Sequence, residues 1–280
     1  MTPVVALSIA GSDSGGGAGV QADLKTFAAH GVFGTTALTA VTAQNTLAVT
    51  GVVALDPAFV VAQIDAVLGD LAPSAVKTGM LASAPTVAAV AALAESGALV
   101  NLVVDPVLVS STGHRLIDDE GLGAYRTFLL PRAKVATPNL REAAVLTGQE
   151  LGDLCSVEAM VAAAEELRSL GTETVVVKGG HLDRALGGGG GQTIPSPDVV
   201  VGPDGTVVLE GPRIETGNDH GTGCSLSAAI TANLGLGKST LDAVRDAKAY
   251  VARALAGAAP WHLGMGHGPI DHFGWADRPG

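Results

Sequence analysis

The sequence contains few aromatic residues, few charges and few cysteines. Aromatic residues make up 3% and charged residues 15% of the 280, whereas 47% are apolar, so small aliphatic side chains must build the core. With 27 acidic residues against 16 lysines and arginines, the net charge of -11 and the lack of a basic cluster argue against a nucleic acid or an anionic membrane as partner. Cys155 and Cys224 provide no disulfide framework, which predicts a cytoplasmic protein.

Long apolar runs are also missing. No stretch reaches 18 uninterrupted apolar residues, so no membrane-spanning segment is predicted. The N-terminus has no basic region and is interpreted as a strand rather than as a signal peptide. Alanine, valine, leucine and glycine dominate instead, a composition that suits helices packed closely on a buried parallel sheet. We therefore expect one α/β domain over residues 1–280.

Short β-rich runs alternate with longer helical segments along the chain. This alternation predicts an α/β fold with a mostly parallel central sheet and helices on both faces. Asp56 and Pro57 supply an N-cap and a first-turn proline for one of the helices. The predicted strands are Val4–Ala10, Thr35–Thr42, Ala75–Lys77, Leu102–Val104, Val135–Ala136 and Thr174–Val177.

Two features interrupt the alternation. Five consecutive glycines at 187–191 cannot pack into a core and are expected to be mobile. Further on, Asp198–Val201 and Thr206–Leu209 flank Gly-Pro-Asp-Gly, which predicts a small β-hairpin flap at about 197–210. The hairpin is interpreted either as a cover over a site or as a surface decoration, and the pattern does not decide between the two.

The segment from Gly221 to Cys224 lies where a loop turns into a helix. The first turn of a helix leaves backbone N–H groups without partners, and the helix dipole makes that end positive. Since Gly221 and Gly223 have no side chains, an anion such as a phosphoryl group could approach the backbone closely. The alternative is that these glycines only permit close helix packing.

Polar residues recur after the predicted strands, at the edge of an open parallel sheet where ligands bind. Asp105 ends one strand and is either a helix cap or a magnesium-associated carboxylate. Asn139 and Glu142 share one face at the start of a helix, as phosphate and metal ligands or as a capping box. Lys178 ends a strand of valines beside two glycines, and this position favours a functional role.

Eight segments in this order resemble the hydroxymethylpyrimidine and phosphomethylpyrimidine kinases of thiamine biosynthesis, in the ribokinase-like superfamily. The matching residues span nearly the whole chain. They are Ala-Gly-Ser-Asp-Ser-Gly-Gly-Gly-Ala-Gly-Val-Gln-Ala-Asp-Leu-Lys from Ala10, Thr-Ala-Gln-Asn-Thr from Thr42, Lys-Thr-Gly-Met-Leu from Lys77, Val-Asp-Pro-Val from Val104, Thr-Pro-Asn-Leu from Thr137, Lys-Gly-Gly-His from Lys178, His-Gly-Thr-Gly-Cys from His220 and Gly-His-Gly-Pro from Gly266.

The resemblance implies transfer of the ATP γ-phosphoryl group to 4-amino-5-hydroxymethyl-2-methylpyrimidine and then to its monophosphate. It implies a homodimer that works with ATP and Mg²⁺. The implied pyrimidine-binding residues are Gly11, Asp23, Gln44 and Val107. The implied ATP and phosphate ligands are Asp105, Asn139, Lys178, Gly221 and Gly223, with Asp105 and Glu142 around the magnesium. The implied catalytic group is Lys178 with the anion hole of Gly221, Thr222, Gly223 and Cys224.

Cys224 is a departure, because many ribokinase-like enzymes have an aspartate there that can act as a base. A thiol at a helix N-terminus can have a lowered pKa, although phosphoryl transfer relies mostly on positioning and charge stabilisation. One alternative is a pyridoxal kinase of the same superfamily, against which Gln44 favours the pyrimidine. Another is a non-catalytic nucleotide-binding regulator, against which Asp105, Glu142, Lys178 and the anion hole argue.

Overall fold

The computed structural model describes residues 2–108, 117–180 and 196–275, and these residues form a central sheet flanked by helices. The strands are β1 (Val5–Ser12), β2 (Phe33–Gln44), β3 (Val49–Ala54), β4 (Ala75–Thr78), β5 (Val103–Val104), β6 (Val135–Ala136), β7 (Thr174–Lys178), β8 (Asp198–Gly202) and β9 (Gly205–Leu209). The α-helices are α1 (Gly19–Ala29), α2 (Pro57–Leu71), α3 (Ala84–Glu95), α4 (Asp119–Ala124), α5 (Leu140–Thr147), α6 (Val157–Ser169), α7 (Thr222–Gly235) and α8 (Thr240–Ala258).

Within the described ranges the strands form one sheet in the order β3-β2-β1-β4-β5-β6-β7-β8-β9. The strands from β2 to β7 in this order are mutually parallel, while β3 at one edge and β8 and β9 at the other are antiparallel. The prediction of a mostly parallel sheet is confirmed. The carboxyl ends of β5, β6 and β7 therefore meet at one edge, which places Asp105, Thr137 and Lys178 side by side.

Helices cover both faces of the sheet, as predicted. In β7, the side chains of Val175 and Val177 belong to the apolar cluster that includes α2, α3, α5 and α6, whereas Val176 belongs to the cluster with α7 and α8. All three valines are fully buried. Successive strand residues point to opposite faces, and each fully buried valine contributes roughly 1.5–3 kcal/mol, so the core holds the strand ends in place from both sides.

The predicted hairpin forms, but it is part of the sheet. β8 and β9 pair antiparallel around the predicted turn, and β8 also pairs along its length with β7. Val199, Val200 and Val201 are buried in the two apolar clusters. The strand β8 is therefore anchored in the core, whereas β9 is mostly exposed, and the role of the hairpin as a cover over a site stays a prediction. The five glycines at 187–191 lie outside the described residues.

Among the described helices, none is long and apolar enough to cross a lipid bilayer. The predicted start of α2 is confirmed, since the Asp56 side chain accepts a hydrogen bond from Ala58 N–H and Pro57 is in the first turn. This cap satisfies one of the N–H groups that a helix start leaves unpaired.

Candidate active site

A buried ion pair lies where β5 and β7 end. Lys178 Nζ is 3.0 Å from Asp105 Oδ1, which also accepts a hydrogen bond from Thr137 Oγ1 at 3.2 Å. The second carboxylate oxygen accepts a bond from Ser227 Oγ of α7 at 3.2 Å. Asp105 is 2% exposed, so without these donors its charge would be costly. The arrangement joins two predicted site residues across three parallel strands and one helix.

Lys178 and Asp105 each stabilise the charged form of the other. Burial alone would raise the pKa of Asp105, but Lys178 and Lys77 outweigh it and leave that pKa below its ordinary value. Burial alone would lower the pKa of Lys178, but Asp105 and Glu142 raise it above the ordinary value. The site therefore presents a fixed ammonium group at neutral pH, in a chain whose net charge is -11.

Asn139 and Glu142 form the capping box that the sequence left as an alternative. Asn139 Oδ1 accepts the Glu142 N–H at 2.9 Å, and Glu142 Oε2 accepts the Asn139 N–H at 2.8 Å. Glu142 is nevertheless part of the same electrostatic cluster. Burial raises its pKa to about 7, Asp105 adds to the rise, and Lys178 opposes it. The capping role and proximity to the Asp105–Lys178 pair thus coexist in one side chain.

The raised pKa of Glu142 predicts a pH-dependent stability. Between its ordinary value of 4.5 and the folded value of about 7, the folded protein keeps a proton that the unfolded chain releases. Its contribution to stability therefore falls as the pH rises through this window. We expect Glu142→Gln to remove this fall. Urea unfolding of both proteins at several pH values between about 4.5 and 8 measures it, and parallel pH curves would contradict it.

The predicted anion hole is built on two glycines with different structural demands. Gly221 is the N-cap of α7 with φ of 83°, and a side chain there would collide with the carbonyl oxygen of Gly17. At Gly223, an added Cβ would lie 3.1 Å from Lys178 Nζ. The structure thus brings the ammonium group of Lys178 against the bare backbone at the start of α7. Thr222 Oγ1 donates instead to the carbonyl oxygen of Asp219 at 2.6 Å, which steadies the turn.

Cys224 does not have the lowered pKa that its helix position suggested. Burial raises the pKa of the thiol to about 11, with the charges of Asp105 and Asp23 adding to the rise and Lys77 opposing it. Desolvation and the nearby carboxylates disfavour the thiolate, because it is the charged form and its charge is negative. Cys224 is therefore a neutral thiol at physiological pH.

This correction gives a direct prediction for Cys224→Ser. A neutral thiol contributes little as a base, so the variant is expected to lose much less than the ~10²–10⁴ in kcat that removal of a general base costs. The kcat–pH profile between about pH 6 and 9 is expected to keep its shape, since no thiol titrates there. Steady-state kinetics across this range tests both points. A collapse in kcat with loss of an alkaline-side pKa would identify Cys224 as the base.

Gln44 ends β2 on the other side of the anion hole and is half-buried. Its backbone is held by Ser14, whose hydroxyl accepts the Gln44 N–H at 2.8 Å and donates to the Gln44 carbonyl at 2.7 Å. Its side-chain amide lies 3.3 Å from both Thr42 Oγ1 and His220 Nε2. Since His220 directly precedes Gly221, the structure brings the predicted acceptor-binding glutamine next to the anion hole.

Asp23 is placed differently from the prediction. Its side chain is fully buried, and its oxygens accept hydrogen bonds from Ser8 Oγ at 2.6 Å and from Lys77 Nζ at 2.7 Å. Burial raises the pKa of Asp23, although Lys77 and Ser8 oppose the rise. A direct bond to a substrate would require this pair to open, so the structure assigns Asp23 to the support beneath the site.

Of the two remaining predicted acceptor contacts, one lies near the end of β1 and the other in the loop that follows β5. Gly11 lies at an irregularity of β1, where an added Cβ would come within 2.5 Å of Met80 Cε. Val107 is half-buried, two residues after Asp105, with its N–H bonded to the Asp105 carbonyl at 2.9 Å. Their contacts with a pyrimidine stay predictions.

Asp13 and Lys77 lie in segments that carry the family resemblance, but sequence reasoning assigned them no role in the site. The Asp13 carboxylate accepts hydrogen bonds from the N–H groups of Gly15, Gly17 and Ala18 and lies 2.9 Å from His220 Nε2. An acidic residue inside the run Gly-Ser-Asp-Ser-Gly-Gly-Gly was the available signal, because such a run leaves many N–H groups that need an acceptor.

The described residues contain no group of three or more histidine, cysteine or acidic side chains that could hold a metal ion alone. Magnesium in phosphate-transfer sites usually needs only one or two carboxylates, with phosphate oxygens and water completing its shell. Asp105 and Glu142 are hard oxygen ligands whose charges influence each other. The residues present therefore fit Mg²⁺ that arrives with a nucleotide, and they do not fit an all-protein metal cage.

Comparisons with known proteins find similar proteins over nearly the whole chain. Residues 13–271 match the model of a family described as phosphomethylpyrimidine kinase. The hydroxymethylpyrimidine/phosphomethylpyrimidine kinase of Rhizobium meliloti is 48% identical over 96% of this chain and 97% of that protein. The thiamine biosynthesis bifunctional protein of Geobacter sulfurreducens is 44% identical over 95% of this chain, which spans 52% of that larger protein. Among solved structures, the Staphylococcus aureus pyridoxal kinase in complex with ADP aligns with a TM-score of 0.86 at 35% identity, covering 98% of this chain and 95% of that one.

Proposed function

The chain belongs to the phosphomethylpyrimidine kinase family, and we infer from this that it phosphorylates hydroxymethylpyrimidine and then phosphomethylpyrimidine in thiamine biosynthesis. ATP is the phosphoryl donor and the acceptor is a small pyrimidine. The observation that carries the assignment is the position of Lys178 Nζ, close to Gly223 at the bare start of α7 and paired with Asp105. A fixed cation beside the backbone N–H groups of a helix start stabilises a transferring phosphoryl group.

We propose that the phosphate side of the site uses Lys178 and the anion hole formed by Gly221, Thr222, Gly223 and Cys224. Lys178 neutralises phosphate charge, and the N–H groups at the start of α7 donate hydrogen bonds to the phosphoryl oxygens. Asn139 orders the start of α5 beside the nucleotide phosphates through its capping box. Asp105 and Glu142 would hold the Mg²⁺ that accompanies ATP, and the ion would neutralise charge between the phosphates.

On the acceptor side, we propose that the Gln44 amide bonds the edge of the aminopyrimidine, with the backbone at Gly11 and Val107 completing the pocket. Asp23 supports this pocket from below through Lys77 and α1. An amide suits an aminopyrimidine because it offers one donor and one acceptor side by side, and the pyrimidine edge offers the complementary pair. A site built on such bonds rejects rings that lack the matching atoms.

A coupled assay with Mg-ATP tests the function. The pyrimidine and its monophosphate are expected to be phosphorylated with higher kcat/KM than pyridoxal. Pyridoxal is the second candidate because the Staphylococcus aureus pyridoxal kinase has the same fold over nearly the whole chain. A higher kcat/KM for pyridoxal would overturn the assignment in favour of that candidate. ATP binding without phosphorylation of any of the three would favour a non-catalytic role.

Gln44→Ala is expected to raise the KM for the pyrimidine strongly while leaving the KM for ATP nearly unchanged. Loss of a buried hydrogen-bonding partner leaves polar atoms of the ring unpaired, which costs about 1–3 kcal/mol, or about fivefold to 150-fold in KM. Gln149→Ala is a matched control, because Gln149 lies on the surface beside Glu166. An equal rise in both KM values would remove Gln44 from the acceptor pocket.

We propose further that residues 1–280 work as one kinase domain, in the cytoplasm and as a homodimer. The family resemblance supports the assembly, and light scattering of the purified protein measures it. The structure describes one sheet to which strands from residues 5 to 209 contribute, and this supports a single domain.

A further inference from the structure

The orientation of the Gln44 amide is determined by its neighbours. The oxygen and nitrogen of a side-chain amide have nearly the same shape, so hydrogen-bond partners decide which atom occupies which position. As placed in the structure, Gln44 Nε2 lies 3.3 Å from His220 Nε2, and Gln44 Oε1 lies 3.3 Å from Thr42 Oγ1. The other contacts of these two neighbours determine whether each of them donates or accepts a hydrogen bond toward Gln44.

Asp13 determines that His220 Nε2 is a hydrogen-bond donor. Its carboxylate already accepts N–H bonds from Gly15, Gly17 and Ala18, and His220 Nε2 lies 2.9 Å from Oδ2. Burial alone would raise the pKa of Asp13, but the bonds from His220, Ala18 and Gly15 lower it below its ordinary value. A carboxylate can only accept, so His220 Nε2 must carry a proton and donate it. That nitrogen cannot also accept a bond from an amide N–H.

Thr42 is a hydrogen-bond acceptor toward Gln44, whereas His220 is a donor. Its hydroxyl lies 2.7 Å from the carbonyl oxygen of Ser12, which can only accept, so the single hydroxyl proton points there. The Thr42 oxygen is then left with lone pairs for Gln44. Both neighbours therefore require the amide oxygen toward His220 and the amide nitrogen toward Thr42. This arrangement exchanges the two amide atoms relative to their placement in the structure and leaves the shape of the side chain unchanged.

We propose that Asp13 and His220 are positioning residues that fix the Gln44 amide with its oxygen toward His220 and its nitrogen toward Thr42, and so determine which edge of the acceptor is recognised. The link to recognition rests on the proposed role of Gln44 in the acceptor pocket. An aminopyrimidine presents an N–H donor beside a ring-nitrogen acceptor. Only one orientation of the amide matches both atoms. The reversed orientation places an acceptor against an acceptor and a donor against a donor.

The polarity is tested directly by NMR of protein labelled with ¹⁵N in histidine and glutamine. The ring signals of His220 are assigned by their loss in His220→Gln. Nε2 is expected to be of the protonated type, and the Gln44 amide protons are expected to show nuclear Overhauser effects to the Thr42 methyl group and not to the imidazole ring. An unprotonated Nε2, or amide protons close to the imidazole, would overturn the proposal.

Kinetics test the consequence for recognition. His220→Leu removes the donor and is expected to raise the KM for the pyrimidine about tenfold or more, whereas His220→Gln, whose amide can still donate, is expected to restore part of the loss. His267→Leu is the matched control, because it removes a similar histidine–aspartate contact, to Asp219, on the exposed side of the same loop. Equal KM values in His220→Leu and His220→Gln would overturn the positioning role.

The two levels of failure can be told apart. If Gln44→Ala leaves the pyrimidine KM unchanged while the NMR signals are as expected, the acceptor-pocket assignment fails and the polarity of the amide stands. If Gln44→Ala raises the pyrimidine KM and His220 Nε2 is unprotonated, the pocket stands and the positioning role of Asp13 and His220 is overturned.

Discussion

Gly223→Val is expected to lower kcat by about 10²–10³ while the protein still folds. An added Cβ alone would lie 3.1 Å from Lys178 Nζ, and the two further methyl groups of valine must push the ammonium group away or fill the space beside the first N–H groups of α7. Both outcomes remove charge stabilisation where the phosphoryl group is transferred. Steady-state kinetics measures the loss, and circular dichroism with urea unfolding checks the fold.

Two further variants separate chemistry from helix stability. Gly223→Ala adds only the Cβ, which the flexible end of Lys178 can avoid by a small shift, so a smaller loss of kcat is expected. Gly69→Val places the same valine in α2, where an added Cβ meets nothing within 4 Å, and it controls for valine in a helix. Normal turnover in folded Gly223→Val would show that phosphate does not approach the start of α7.

The parallel part of the sheet could be predicted because its strands are short runs of valine and alanine between helical segments. Strand β3 was missed, because all six of its residues are exposed and its sequence has no alternation of apolar and polar residues. The pairing of β8 with β7 was also missed. The turn sequence shows that β8 and β9 form a hairpin, but it carries no information about which other strand β8 joins.

The candidate site could be predicted where a residue type follows directly from its place at a strand end, as for Asp105 and Lys178. Contacts between distant segments could not be predicted in the same way. Lys77 looks like the end of a strand, yet it is fully buried against Asp23, which lies 54 positions earlier in the chain. Once Lys77 takes that carboxylate, Asp23 is no longer available as a surface ligand, and no local pattern shows this.

Cys224 shows a limit of a different kind. Its place in the first turn of a helix was clear from the glycines, and a helix N-terminus favours the thiolate. The opposing effects come from burial and from the carboxylates of Asp105 and Asp23, and these depend on packing between β4, β5, α1 and α7. The sign of a pKa shift therefore required the three-dimensional structure even where the local helix position was predicted correctly.

Lys178→Met is expected to lower kcat by about 10²–10³ and to destabilise the protein at neutral pH. The variant removes the cation beside Gly223 and leaves Asp105, which is 2% exposed, without its closest positive charge. Breaking a buried ion pair on one side typically costs about 3–5 kcal/mol, because the remaining charge stays buried. Loss of activity must therefore be measured well below the unfolding temperature of the variant.

The pH dependence of Lys178→Met identifies the cause of its instability. In the wild type the pKa of Asp105 is lowered against the effect of burial, so its ionisation stabilises the fold above the ordinary value of 3.8, and this contribution is lost as the pH falls. Without Lys178, burial is expected to raise that pKa, so the folded variant keeps the proton to higher pH. The stability difference between the two proteins should then shrink on acidification from about pH 7 toward pH 5.

Lys248→Met provides the matched control for turnover. Lys248 and Asp198 form a pair at 2.7 Å with side chains 15% and 11% exposed, close to the 14% and 2% of Lys178 and Asp105. Both lysine variants are expected to lose stability, but only Lys178→Met is expected to lose kcat far beyond its loss of folded protein. If folded Lys178→Met kept near-normal kcat, another group would have to neutralise the phosphate charge. Because the ammonium group of Lys178 lies beside Gly223, that result would also show that the anion hole works independently of the Asp105–Lys178 pair.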